Sequence, residues 1–267
     1  MFISRVSDKM LNCTDNLIIS WFIGVGTVGR YANYSMITQA IINILTILAN
    51  TIQPTIGDYF TEKNYRRNYE ILRQLTFVFF CISSVVAAGL FSLITPFICD
   101  IWLSPAYELG WGTAVLCIVV LLIKIMGLPL SLMMGVTGLF EKEKNTGASS
   151  AVLNLVVSLA LVKPYGMTGV LLGTLLSYLL QICYRYVIFF RDFLEMKEES
   201  IRYARDLGEY TAVMILEVAV TRRIIPLIYG NGGMTPFIFC FVLCILVPLA
   251  LNGVFFGRGW RLQSIVK

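Results

Sequence analysis

The sequence contains no histidine and few charged residues. Of its 267 residues, 14% are charged, whereas soluble domains average about 25%. The absence of histidine excludes histidine-based acid–base catalysis and Ser-His-Asp triads, and it removes the commonest ligand of zinc sites. The seven cysteines include no CxxC pair, and no phosphate-binding glycine motif follows a predicted strand. No metal, nucleotide or other cofactor is therefore predicted.

Apolar residues, by contrast, are abundant: hydrophobic residues make up 57% of the chain and the mean hydropathy is +0.77. One soluble core cannot bury this much apolar surface. Long runs with few or no charges are typical of membrane-spanning helices, because the backbone must satisfy its own hydrogen bonds in lipid. The sequence predicts an all-α integral membrane protein of about eight transmembrane helices, over residues 11–29, 33–56, 74–98, 110–136, 147–163, 167–190, 209–229 and 235–256.

The basic residues lie mainly in the short loops between these runs. With the N-terminus inside, fifteen lysines and arginines fall on the inner side and four on the outer side. Since basic residues concentrate in cytoplasmic loops, we expect both termini to lie in the cytoplasm of a multi-pass protein of the cytoplasmic membrane. The net charge of +5 is attributed to this orientation, and no nucleic-acid partner is predicted.

Five of the charged residues within the predicted spans are candidate substrate-path residues, because charges at membrane depth are costly and commonly functional. Lys124 could meet an anionic substrate, or could snorkel or pair with Glu217. Asp15 is either a carboxylate at a helix start or a group that responds to cations or protons. Arg222 and Arg223 could meet an anionic substrate near the outer end of their span, or could anchor the helix at the outer surface.

Small residues recur at spacings of three and four in the sixth predicted span. Gly166, Gly169, Gly173 and Ser177 would give one helix a smooth face, which permits close approach of a neighbouring helix. Plain packing is one interpretation of this face. A sliding contact in a moving bundle is the other.

Three segments carry a resemblance to a known family. They are Asn154-Leu-Val-Val-Ser158 with the small-residue helix up to Ser177, the segment 15–34 that begins Asp15-Asn-Leu-Ile-Ile-Ser20, and Gln53-Pro54-Thr-Ile-Gly57-Asp58. In order and spacing the chain resembles polysaccharide (O-antigen) flippases of the Wzx type, in the multidrug/oligosaccharidyl-lipid/polysaccharide exporter superfamily. The resemblance implies the last eight helices of a fourteen-helix exporter, with a second six-helix lobe over 1–190 and, over 191–267, a cytoplasmic loop and two additional helices.

The resemblance also implies a function and partners. The substrate would be an undecaprenyl-pyrophosphate-linked oligosaccharide, moved across the bilayer for surface polysaccharide biosynthesis, and a separate N-terminal lobe would complete the transporter. The alternatives are a cation-coupled drug exporter of the same superfamily and a non-transporting truncated remnant. A membrane enzyme such as a sugar polymerase or acyltransferase would need a large polar outer loop and usually a histidine. The sequence has neither, so no enzymatic activity is predicted.

Overall fold

The computed structural model describes residues 14–59, 65–193, 197–230 and 233–257, and every regular element among them is helical. The predicted all-helical character is thus confirmed. Helices α3 and α6 continue as π-helical turns over Phe97–Trp102 and Ile188–Phe193, and a 3-10 turn covers Pro105–Tyr107. The helices are α1 (14–22), α2 (Val25–Tyr59), α3 (Tyr65–Pro96), α4 (Trp111–Val136), α5 (Phe140–Tyr165), α6 (Met167–Val187), α7 (Lys197–Tyr229) and α8 (Met234–Phe256).

Six of these helical segments are long and apolar enough to cross a membrane. They are Val25–Tyr59, Tyr65–Trp102, Trp111–Val136, Thr146–Tyr165, Met167–Arg191 and Met234–Phe256. Helix α7 is long enough but too polar, since Glu209, Glu217 and two arginines interrupt its apolar run. The membrane character is therefore shown, whereas the spans over 11–29 and 209–229 and the cytoplasmic termini stay predictions; the termini lie outside the described residues.

The bounds of two helices differ from those of the predicted membrane spans. The first predicted span ends at residue 29, but α1 ends at residue 22 and α2 already begins at Val25. The break falls at Gly24, whose φ of 118° is a backbone conformation that side chains rarely permit. In addition, α7 begins at Lys197 instead of 209, because a charged segment continues a helix without a break.

The chain divides into two compact units that do not follow chain order. The first contains the described residues up to 59 and those from 109 to 193, with α1, α2, α4, α5 and α6. In this unit α6 packs against α4 and α5, and α2 packs against α4. Gly166 alone joins α5 to α6, with a φ of 58°. The division of the chain at residue 190, into a six-helix lobe and two additional helices, stays a prediction.

The second unit contains α3, α7 and α8, which pack against one another. Its core holds a cluster of four aromatic rings. Phe80 stacks on Tyr210 with ring centroids 4.5 Å apart, and Phe256 meets both rings edge-on. Phe77 completes the cluster. Such pairs contribute about 0.5–1.5 kcal/mol each beyond the contribution of the apolar area that they bury. They therefore stabilise the packing of α3, α7 and α8 against one another.

Candidate functional site

A buried polar network in the first unit is centred on Asp15, which is 1% exposed. The Thr174 hydroxyl of α6 donates to Asp15 Oδ2 at 2.7 Å. The Asn154 side-chain amide of α5 donates to Thr174 Oγ1 at 2.9 Å and more weakly to Asp15 Oδ1 at 3.4 Å. Two helices, α5 and α6, thus supply neutral donors to the carboxyl group of α1, as buried polar groups require.

Lys124 lies on α4 in the same unit. Its Nζ atom is 4.4 Å from the centroid of the Tyr178 ring, which is a cation–π distance. Lys124 and Asp15 line the same small cavity. The lysine therefore has neighbours within its own unit, whereas Glu217, the partner that the structural alternative gave it, belongs to the second unit.

Two cavities adjoin Lys124, and both belong to the first unit. The smaller, of about 20 Å³, also touches Asp15, Thr174 and Tyr31 and has room for about one water molecule. The larger has a volume of about 410 Å³, within the range of ligand pockets. Its polar lining comprises Gln39, Asn43, Thr46, Lys124, Ser131, Tyr178, Gln181 and Arg185.

Arg185 is a residue of this site that sequence reasoning missed. It lies within the predicted span 167–190, where an arginine is as unexpected as Lys124. The location of Arg185 within a predicted span was the sequence feature that could have identified it as a site residue. An arginine close to the end of a span ordinarily snorkels to the surface. The sequence alone therefore does not indicate that Arg185 lines the cavity.

The predicted substrate-path residues are not all brought together. Asp15 and Lys124 lie in the first unit, whereas Glu217, Arg222 and Arg223 lie on α7 in the second. Arg222 and Arg223 are exposed and Glu217 is wholly buried. None of the three lines either cavity.

The small-residue face of α6 meets α5 at very short range. A Cβ atom at Gly169 would lie 2.2 Å from the Leu161 carbonyl oxygen, and one at Gly173 would lie 2.3 Å from Ser158 Oγ. Ser177 is buried and donates to the Gly173 carbonyl oxygen. Gly166 differs from the others, because it forms the turn and a Cβ there would meet nothing within 4 Å.

No protein-family model, no curated protein and no solved structure matches this chain.

Proposed function

We propose that this chain is part of a transporter that moves pyrophosphate-linked oligosaccharide lipid across the cytoplasmic membrane. The cavity of about 410 Å³ carries the proposal. Two cationic side chains, Lys124 and Arg185, line it, and no Asp or Glu is among its described lining residues. The substrate class comes from the resemblance of the three segments named above.

The lining suits an anionic, sugar-bearing ligand in two ways. A pyrophosphate loses hydration when it enters an apolar bundle, and nearby cations offset that cost. Arginine forms a planar fork that fits phosphate oxygens, whereas lysine acts as a point charge. Amide and hydroxyl groups such as Gln39, Asn43 and Gln181 offer donors and acceptors to sugar hydroxyls.

A second candidate function is cation-coupled export of drugs. One observation favours it: a buried carboxyl group, Asp15, lies in the small cavity together with Tyr31 and beside Lys124. Acidic and aromatic side chains together suit cationic aromatic compounds. The larger cavity argues for the first function, because its two cationic side chains would repel such compounds.

The test is complementation of cells that lack a flippase, with the first lobe supplied separately and surface polysaccharide as the readout. Lys124→Ala should lower transport by about tenfold or more, since a contact to a charged group is worth about 1.5–3 kcal/mol. Lys124→Arg should keep part of it by retaining the charge. Arg185→Ala should act like Lys124→Ala. Lys163→Ala is the matched control, because Lys163 is exposed and lines neither cavity.

Three results would contradict the proposal. The wild-type chain could fail to restore surface polysaccharide, or Lys124→Ala could transport normally at equal protein level. Transport could also recover in the Lys124→Ala/Glu217→Ala double variant, which would show that the lysine only neutralises a carboxylate. Increased resistance to cationic drugs that Asp15→Asn abolishes would support the second function instead.

A further inference from the structure

Three carboxyl groups are buried among the described residues, and one of them is unlike the others. Asp15 accepts a hydrogen bond from Thr174, and Asp206 pairs with Arg73 at 2.6 Å. Glu217 is 0% exposed, yet neither of its carboxyl oxygens has a hydrogen-bond partner in the described part of the chain. Buried charges in proteins are paired or bind a cation, so this carboxyl group lacks a counterpart.

Other oxygen atoms gather near Glu217 in the second unit. Ser84 of α3 lies beside the carboxyl group. Its hydroxyl donates to the Cys81 carbonyl oxygen at 3.0 Å and accepts from the Asn252 side-chain amide at 2.9 Å. Asn252 of α8 is 4% exposed, and its Oδ1 atom is also without a partner among the described residues. Helices α3, α7 and α8 each contribute one of these oxygen-bearing side chains.

We propose that Glu217, Ser84 and Asn252 form a buried binding site for a dehydrated monovalent cation such as Na⁺. Hard cations select carboxylate, carbonyl and hydroxyl oxygens, and the carboxylate oxygens of Glu217 and the Oδ1 atom of Asn252 have no donor among the described residues. The charge also balances, because one carboxylate neutralises one monovalent ion, whereas a divalent ion would leave a buried positive charge. No group of three His, Cys, Asp or Glu side chains suited to a metal occurs in the described ranges.

Protonation of Glu217 would leave more buried oxygen atoms without a partner than cation binding would. The protonated carboxyl could donate one hydrogen bond to Ser84, whose oxygen accepts it. The second carboxyl oxygen and Asn252 Oδ1 would still have no donor, at a cost of about 1–3 kcal/mol for each buried group. In the proposed site, the cation is the partner of the Glu217 carboxylate and of Asn252 Oδ1.

The experiment measures thermal unfolding of the detergent-solubilised full chain in NaCl, KCl and N-methylglucamine chloride at constant ionic strength. Na⁺ at a hundred times its Kd should raise the unfolding midpoint by about 5 °C or more. Glu217→Gln should abolish this rise, and Asn252→Leu should weaken it. Glu209→Gln is the matched control, because it makes the same change at an exposed position of the same helix and should keep the full rise.

Binding of radioactive Na⁺ to the wild-type chain is measured in parallel, so the test does not depend on any variant folding. Saturable binding of one ion per chain, lost in Glu217→Gln, supports the site. Absence of saturable binding together with equal unfolding midpoints in all three salts overturns it. Retention of Na⁺ binding by a folded Glu217→Gln variant overturns it as well.

Discussion

A single methyl group at Gly173 should destabilise the α5–α6 pair. A Cβ atom there would lie 2.3 Å from Ser158 Oγ, 3.0 Å from the Ser158 nitrogen and 3.1 Å from the Asn154 carbonyl oxygen. Ordinary van der Waals contacts of such an atom begin near 3.4 Å. The Ser158 hydroxyl would therefore have to move by about 1 Å, and it now donates to the Val170 carbonyl oxygen at 3.2 Å.

The expected magnitude follows from three opposing contributions. Overpacking a closely packed contact costs about 1–3 kcal/mol, and loss of the Ser158 hydrogen bond costs about 1 kcal/mol. Replacing glycine by alanine within a helix gains about 1 kcal/mol of helix propensity. Gly173→Ala should therefore lower the free energy of unfolding by about 1–3 kcal/mol.

A double-mutant cycle with Ser158→Ala isolates the steric cause. Ser158→Ala alone should cost about 1 kcal/mol through its lost hydrogen bond. In the double variant the colliding oxygen is absent, so the loss should be smaller than the sum of the single losses by about 1–2 kcal/mol. Gly169→Ala should show no such rescue, because its Cβ would meet the Leu161 carbonyl oxygen, a backbone atom, at 2.2 Å.

The assay is reversible unfolding in mixed detergent micelles, with the free energy of unfolding measured for each variant. Gly29→Ala is the matched control, since Gly29 lies in helix α2 of the same unit and its Cβ would meet nothing within 4 Å. The steric argument fails if Gly173→Ala is as stable as Gly29→Ala. It also fails if the Gly173 and Ser158 changes are additive within about 0.5 kcal/mol.

Two further predictions concern the second unit. Arg73→Gln should destabilise the fold by about 3–5 kcal/mol, because it leaves the Asp206 carboxylate buried without its ion-pair partner, and addition of Asp206→Asn should recover part of this loss in the same unfolding assay. In a cysteine-free background, Pro105→Cys should react with a membrane-impermeant thiol reagent added outside intact cells, because Pro105 is exposed and lies in a predicted outer loop; reaction only after the membrane is opened would refute the predicted orientation.

Hydropathy predicts the helical membrane character of this chain because it depends on sums over about 20 residues, which single substitutions hardly change. It cannot locate a break such as Gly24, where the flanking residues are as apolar as the helices themselves. It also places the start of α7 too late, at residue 209 instead of Lys197. Helix propensity is high for the charged residues from Lys197 onward, so the backbone continues as helix where hydropathy falls.

The sequence predicted Asp15 and Lys124 as site residues, but neither their polar neighbours nor their arrangement. Asp15, Asn154 and Thr174 each stand in segments that carry a recognisable pattern, yet 139 and 159 positions separate Asp15 from its two partners. Periodicity reports which residues share a face of one helix. It carries no information on which helices pack together, and that packing decides whether Arg185 snorkels or lines a cavity.

The one-residue turn at Gly166 has a consequence for how the protein is made. Helices α5 and α6 are neighbours in the chain and in space, so their mutual contact closes only a short loop and requires no other part of the molecule. The pair is able to assemble as a helical hairpin once α6 has been synthesised, before α7 and α8 exist. Its closest contacts, at Gly169 and Gly173, would then form during membrane insertion. A substitution at either glycine would first impair insertion and lead to degradation of the chain.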